Sequence, residues 1–190
     1  AKLITGDATR VFVPDDPRTL GCSLVFGTDH AWLDRWKAEH PDGIVITYVN
    51  SDAYTKSRSD FVSTSRNTDR IIVEAARQFP GQRILVLPDK YLGFVMRARA
   101  VSLAAAAGIP LDADQVEVYT HEHGGFRAAC YVHEQIGERG VEDALDRYPD
   151  AELMIHPECG CASSCLLKLH AGIISEHRAY FLSTEGMVEH

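Results

Sequence analysis

The chain of 190 residues lacks an excess of basic side chains: 19 lysines and arginines face 27 aspartates and glutamates, for a formal net charge of −8. With no Lys/Arg cluster to offset that balance, a surface that coats nucleic acid is argued against. No apolar run approaches the roughly 20 residues a membrane-crossing helix needs. The first residues, Ala1-Lys2-Leu3-Ile4-Thr5-Gly6-Asp7, do not read as a signal peptide, and the absence of an initial Met suggests a piece of something longer. Cysteine is sparse and odd in number: Cys22, Cys130, Cys159, Cys161 and Cys165. A secreted disulfide framework calls for an even count at higher density, so a reducing, cytoplasmic setting is expected, with thiols kept for chemistry. The remainder, 45% hydrophobic and 24% charged, is the balance of a globular protein with enough chain for a real core.

Short runs rich in Val, Ile and Leu alternate with helical patterns. The runs predict strands at residues 10–14, 43–49, 83–88, 116–120, 152–156 and 179–183, and most are continuous, as in strands buried on both faces of a parallel sheet. Residues 29–39 place Trp32, Leu33 and Trp36 on one helix face, and residues 67–78 do the same for Ile71, Ile72 and Ala75. The alanine-rich stretch 89–107 ends at the stop signals Gly108 and Pro110. Such alternation predicts an α/β class, with ligands at the C-terminal ends of strands.

The chain also resembles itself. His40-Pro41-Asp42 precedes an apolar run that ends in Tyr48-Val49-Asn50; Tyr148-Pro149-Asp150 precedes one that ends in His156-Pro157-Glu158. Cys22 lies 26 residues before Tyr48, and Cys130 lies 26 before His156. Leu33-Asp34-Arg35 and Leu145-Asp146-Arg147 occupy the intervening helical patterns. Downstream, Phe61-Val62-Ser63-Thr64-Ser65 matches Phe181-Leu182-Ser183-Thr184-Glu185. Duplicated α/β units follow, each giving one cysteine and polar residues at strand ends. Ser/Thr clusters between a strand and a helix serve either as N-caps or as a cradle for phosphate or carboxylate, and both readings stay open here.

Cys22-Ser23-Leu24, Tyr48-Val49-Asn50, Ser63-Thr64-Ser65, Pro88-Asp89-Lys90-Tyr91-Leu92-Gly93, Cys130-Tyr131-Val132-His133-Glu134 and His156-Pro157-Glu158-Cys159 stand in the order and spacing of the quinolinate synthase family, which the chain resembles over nearly its whole length. The resemblance implies repeated three-layer α/β/α units around a pseudo-threefold axis, only partly covered. Residues 1–20 would be a remnant of the first unit or a linker, 21–128 the second unit, and 129–190 a truncated third. It implies condensation of iminoaspartate with dihydroxyacetone phosphate to quinolinate, the pyridine precursor of NAD, with possible coupling to an aspartate-oxidising enzyme. It implies a [4Fe–4S] cluster on three cysteines, whose fourth iron keeps an open position for Lewis-acid chemistry. Carried onto this sequence, Cys22 and Cys130 would hold the cluster, with the third ligand beyond the C-terminus. Tyr48 and Glu158 would be catalytic, Glu158 as acid/base. Asn50, Ser65, His156, Ser183 and Thr184, with Tyr48 and Glu158, would bind substrate.

Cys159, Cys161 and Cys165 leave a structural role, a redox pair and a metal ligand open, while the resemblance points to Glu158 and not to the cysteine after it. His121-Glu122-His123 reads as a polar strand-to-loop transition, since alternate strand residues face opposite ways. Trp32 and Trp36 read as core, Arg97 and Arg99 as solvated helix residues, and Lys90 as a structural partner for Asp89. The resemblance also implies an N-terminal segment that carries an active-site His and Tyr and has no counterpart here; a second reading of the chain, a non-catalytic thiol- or metal-binding α/β module, is told apart from the enzyme by whether that segment and the downstream Cys are encoded nearby. The expected outcome for the 190-residue chain alone, after anaerobic iron–sulfide reconstitution, is no quinolinate formation; steady turnover in that assay would refute this expectation.

Overall fold

The computed structural model describes residues 21–175 and 177–190. The strand expected at 10–14 and the expected remnant 1–20 lie outside these residues. In chain order the described elements are α1 (Ser23–Phe26), α2 (His30–Glu39), β1 (Ile44–Tyr48), α3 (Ala53–Ser57), β2 (Phe61–Ser63), α4 (Thr68–Gln78), β3 (Ile84–Leu87) and α5 (Lys90–Ala106). Then follow β4 (Val116–Val118), α6 (Glu138–Arg147), β5 (Leu153–Ile155), α7 (Ala162–His170), β6 (Ala179–Phe181) and α8 (Thr184–Glu189). Short 3-10 turns sit at Ala113–Gln115 and His133–Gln135.

A four-stranded sheet runs β2-β1-β3-β4, and a separate two-stranded sheet pairs β5 with β6. All these pairings are parallel, so the expected α/β class with parallel strands is what the chain forms. The two central strands are the two longest apolar runs, and every residue of β1 and β3 is buried. Their β-branched and leucine side chains meet helices on both faces, which removes any need for alternation. β1, β3, β4, β5 and β6 are each shorter than their apolar runs by one or two residues at the ends, and β2 falls outside those runs.

Helix α5 serves two cores. Its Leu92, Met96 and Ala100 pack under the four-stranded sheet with Ile46, Ile72 and Val86, whereas Val95 joins Ile155, Cys165 and Phe181 under the second sheet. Asp89 caps its start, accepting the Leu92 amide at 2.8 Å. At its end Gly108 takes φ +69°, and the Ile109 amide returns to the Ala104 carbonyl at 2.9 Å. That left-handed step is the glycine stop read from the sequence. Gly93 lets the helix lie on β4, since a Cβ there would meet Val118 Cγ1 at 2.5 Å.

The internal repeat has a structural counterpart. Helices α2 and α6 end alike, at His40 (φ −127°, ψ 72°) and Tyr148 (φ −132°, ψ 73°). In each, the cap amide bonds four residues back, to Trp36 or Ala144, and the residue three further on bonds to the cap carbonyl. β1–β2 and β5–β6 then follow as parallel pairs joined through a helix.

Arg99 is not a solvated helix residue. Its Nε lies 2.9 Å from Asp69 Oδ2 on α4, and its guanidinium donates to the Phe181 carbonyl at 2.8 Å, tying the first sheet's helices to the second sheet. Asp69 is 2% exposed, so little water reaches its carboxylate beside that partner. Removing one member of a fully buried pair costs about 3–5 kcal/mol. Arg99 is half-exposed, so Arg99→Met is expected to cost roughly 2–3 kcal/mol, seen as a lower urea midpoint at unchanged slope. An unchanged midpoint would contradict this role.

Candidate functional site

Parallel strands deliver their C-terminal ends to one edge, and that is where the polar residues gather. Tyr48 is the last residue of β1 and is buried. Its phenol lies against Glu158 and Ser65. Glu158 follows β5 through the His156-Pro157 step and is 2% exposed. Cys130 sits in the irregular segment between β4 and the His133–Gln135 turn. Its sulfur, a ring nitrogen of His133 and a carboxylate oxygen of Glu158 all lie within 4.8 Å of one another. Cys22 stands at the N-cap of α1, half-buried against the same core as Tyr48 and Cys130. All five cysteines are free thiols.

The remaining expected residues sit around this group. His156, buried, stacks on His133 with ring centroids 4.7 Å apart and 9° between planes. Ser65 is half-buried beside the Tyr48 phenol. Asn50 is exposed, two residues past β1. Ser183 caps α8, accepting the Gly186 amide at 3.2 Å. Thr184 is exposed and lines a cavity of about 350 Å³ together with His133, His156, Ile136, Met154 and Met187. Tyr48, Ser65, Cys130, His156 and Glu158 are thus brought together, Cys22 and Thr184 border them, and Asn50 and Ser183 stand further out.

Electrostatics follow burial. Desolvation, and after it the Glu158 carboxylate, hold the Tyr48 phenol well above its ordinary value, so it remains a neutral donor. Burial also raises the Cys130 thiol and lowers the His156 imidazole. Glu158 Oε1 is buried without a hydrogen-bond partner, and so is His133 Nδ1, which lies 3.2 Å from Oε2 without bonding it. A buried carboxylate oxygen without a partner is unusual in a folded protein.

Three residues were not picked out as site members from the sequence. From sequence His133 stands as a base for a Cys130 nucleophile, a pairing set aside because such dyads are usually assembled from distant segments, and the 3-10 turn that begins at His133 brings it beside Cys130. Asp89 does not pair with Lys90, whose Nζ lies 3.8 Å from Glu134. Its second oxygen accepts the Cys130 amide at 3.0 Å, and burial, aided by the Glu158 charge, pushes its carboxyl up to about 7. Ser23 also contacts the Cys130 segment, through its hydroxyl. Two features stand apart. His121 and His123 both approach Asp29 Oδ2, at 3.2 and 3.7 Å, because β4 already ends at Val118 and strand alternation does not apply to them. Gly124 and Gly125, with φ +59° and +82°, make the turn across which His123 and Phe126 exchange backbone bonds. Cys159, Cys161 and Cys165 are buried in the second core.

The family model described as Quinolinate synthetase A protein matches residues 1–190. The chain is 35% identical over 181 residues to a protein named quinolinate synthase from Pyrobaculum aerophilum, an alignment covering 95% of this chain and 50% of that one. It is 37% identical over 181 residues to one from Thermus thermophilus, covering 95% and 48%. A third, from Mycobacterium tuberculosis, is 33% identical over 189 residues, covering 100% and 47%. The chain spans about half the length of the curated relatives it matches.

Asp89→Ala removes both a helix cap and the acceptor for the Cys130 amide. It is expected to cost about 2 kcal/mol in urea unfolding and to speed hydrogen exchange at the Leu92 and Cys130 amides above all others. Uniform exchange across the chain would contradict the double role.

Proposed function

The chain belongs to the quinolinate synthetase A family, and on that premise we propose that its site serves the condensation of iminoaspartate with dihydroxyacetone phosphate to quinolinate, in NAD biosynthesis. The observation that carries the reading is the convergence of Cys130, Tyr48 and Glu158 from three separate segments, with one Glu158 oxygen buried and unpartnered. That is an arrangement for chemistry more than for stability, because an open buried carboxylate costs free energy.

The donor set fits a thiophilic metal group: Cys22 and Cys130 are both free, and they pack in one core. In this proposal these two thiols hold a [4Fe–4S] cluster. When bound, such a cluster supplies a Lewis-acidic iron with an open coordination position. The chain's own residues would act around it. Glu158 would take a proton on its open Oε1 and return it during loss of water, with the His133 ring beside Oε2. Tyr48, kept neutral, would donate a hydrogen bond to a substrate oxygen. His156, kept neutral by burial, would offer a ring nitrogen without adding charge. The hydroxyls of Ser65, Ser183 and Thr184, with the Asn50 amide, would bind phosphate or carboxylate groups. Burial of Glu158 and Tyr48 excludes water from the proton transfers.

Anaerobic reconstitution with iron and sulfide tests the cluster part of this reading. Bound iron and sulfide are expected in the unaltered protein and should fall strongly in both Cys22→Ala and Cys130→Ala. Glu158→Gln should retain the iron. Equal iron in the unaltered protein and both cysteine variants would remove the cluster assignment.

A further inference from the structure

Cys130 lies on a stretch with neither strand nor helix, since β4 ends at Val118 and the next regular turn starts at His133. Its position must therefore come from specific bonds. The Ser23 hydroxyl donates to the Ala129 carbonyl at 2.9 Å and accepts the Tyr131 amide at 3.0 Å. One side chain thus holds the backbone on both sides of Cys130, and it belongs to the residue directly after Cys22. A serine hydroxyl has one donor and two acceptor positions, which matches this double use. Ser23 is 6% exposed, so water does not readily replace either bond. The Cys130 amide between them is taken by Asp89, and the Ala128 carbonyl accepts the Lys90 amide at 2.7 Å.

Resting on the reading that Cys22 and Cys130 ligate one metal group, we propose that Ser23 is a positioning residue: its hydroxyl sets the separation of the two cysteines by clasping the backbone that flanks Cys130. A multinuclear group needs its thiolates at fixed separations. Two segments more than 100 residues apart in sequence would otherwise drift with every motion of the loop. The clamp uses a single side-chain torsion, so little freedom remains once both bonds are made. Removing it leaves a carbonyl and an amide without partners, one on each side of the ligand.

The test compares Ser23→Ala, Ser23→Thr and Asp60→Ala in the anaerobically reconstituted protein. Asp60→Ala deletes the acceptor of the Val45 amide near the N-terminal end of β1, away from the cysteines, and controls for a general loss of stability. The readouts are the rate at which a ferrous chelator removes iron and the hydrogen exchange of the Tyr131 amide. Ser23→Ala is expected to release iron about tenfold faster, the kinetic equivalent of about 1.4 kcal/mol, and to expose Tyr131 to exchange. Ser23→Thr, which keeps the hydroxyl, should restore both, and Asp60→Ala should release iron at the original rate. Unchanged iron release in Ser23→Ala, or equal acceleration in Asp60→Ala, would overturn the proposal. If the unaltered protein holds no iron, or Cys22→Ala and Cys130→Ala hold as much, the cluster reading fails and this inference goes with it. Tyr131 exchange in the metal-free protein then still separates that failure from a failure of the clamp itself.

Discussion

Asp89 stands just past the C-terminal end of β3 with its two carboxylate oxygens committed to different amides, Leu92 on one side and Cys130 on the other. The first bond starts α5, the helix shared by both cores; the second fixes the loop that carries a thiol. A buried carboxylate is costly, and here two backbone donors offset part of that cost. Because one side chain makes both bonds, the depth of α5 on the sheet and the place of Cys130 are coupled. A shift of the helix start would move the cysteine, and a shift of the loop would uncap the helix.

Parallel pairing explains why these groups meet at all. With β2, β1, β3 and β4 pointing one way, the residues after each strand are neighbours: Tyr48 after the body of β1, Ser65 after β2, Asp89 after β3. Strand order turns sequence distance into proximity at one edge. The second sheet repeats the arrangement on a smaller scale, bringing His156 and Glu158 past β5, and Ser183 and Thr184 past β6.

The central strands were legible because a continuous apolar run states its burial directly, and β1 and β3 are buried throughout. The repeat was legible because matching helix ends need matching sequences, and His40 and Tyr148 end their helices with nearly the same backbone angles. The juxtaposition of Tyr48, Ser65, Cys130 and Glu158 was foreshadowed by spacing and resemblance. What escaped lay in contacts made across the chain. The 116–120 run reads as a strand through Thr120, yet Tyr119 is fully buried and its hydroxyl donates to the Gly27 carbonyl and accepts the Asp29 amide. The Tyr119 amide still bonds to the Val86 carbonyl of β3, but the strand ends at Val118, and strand alternation loses its force for His121 and His123. Ser23 stands in the sequence only as a member of Cys22-Ser23-Leu24, and its two partners lie 106 and 108 residues away.

The site spans two sheets, so its geometry depends on what holds them together. Tyr48 and Cys130 belong with the first sheet, Glu158 and His156 with the second. Cross-ties run through two arginines. Arg66 meets Glu185 and Glu189 on α8, but all three side chains are more than half exposed, and such pairs contribute little in water. Arg99 differs, because Asp69 is buried and the Phe181 carbonyl is a fixed backbone acceptor at the end of β6. Losing Arg99 strands a charge, so this tie resists opening where the Arg66 pairs do not. The apolar contacts of Val95 with Ile155 and Phe181 add a non-directional component, and Arg99, one helical turn further along α5, supplies direction. Helix α5 thereby sets the angle at which Glu158 faces Tyr48, and its start at Asp89 sets the position of Cys130.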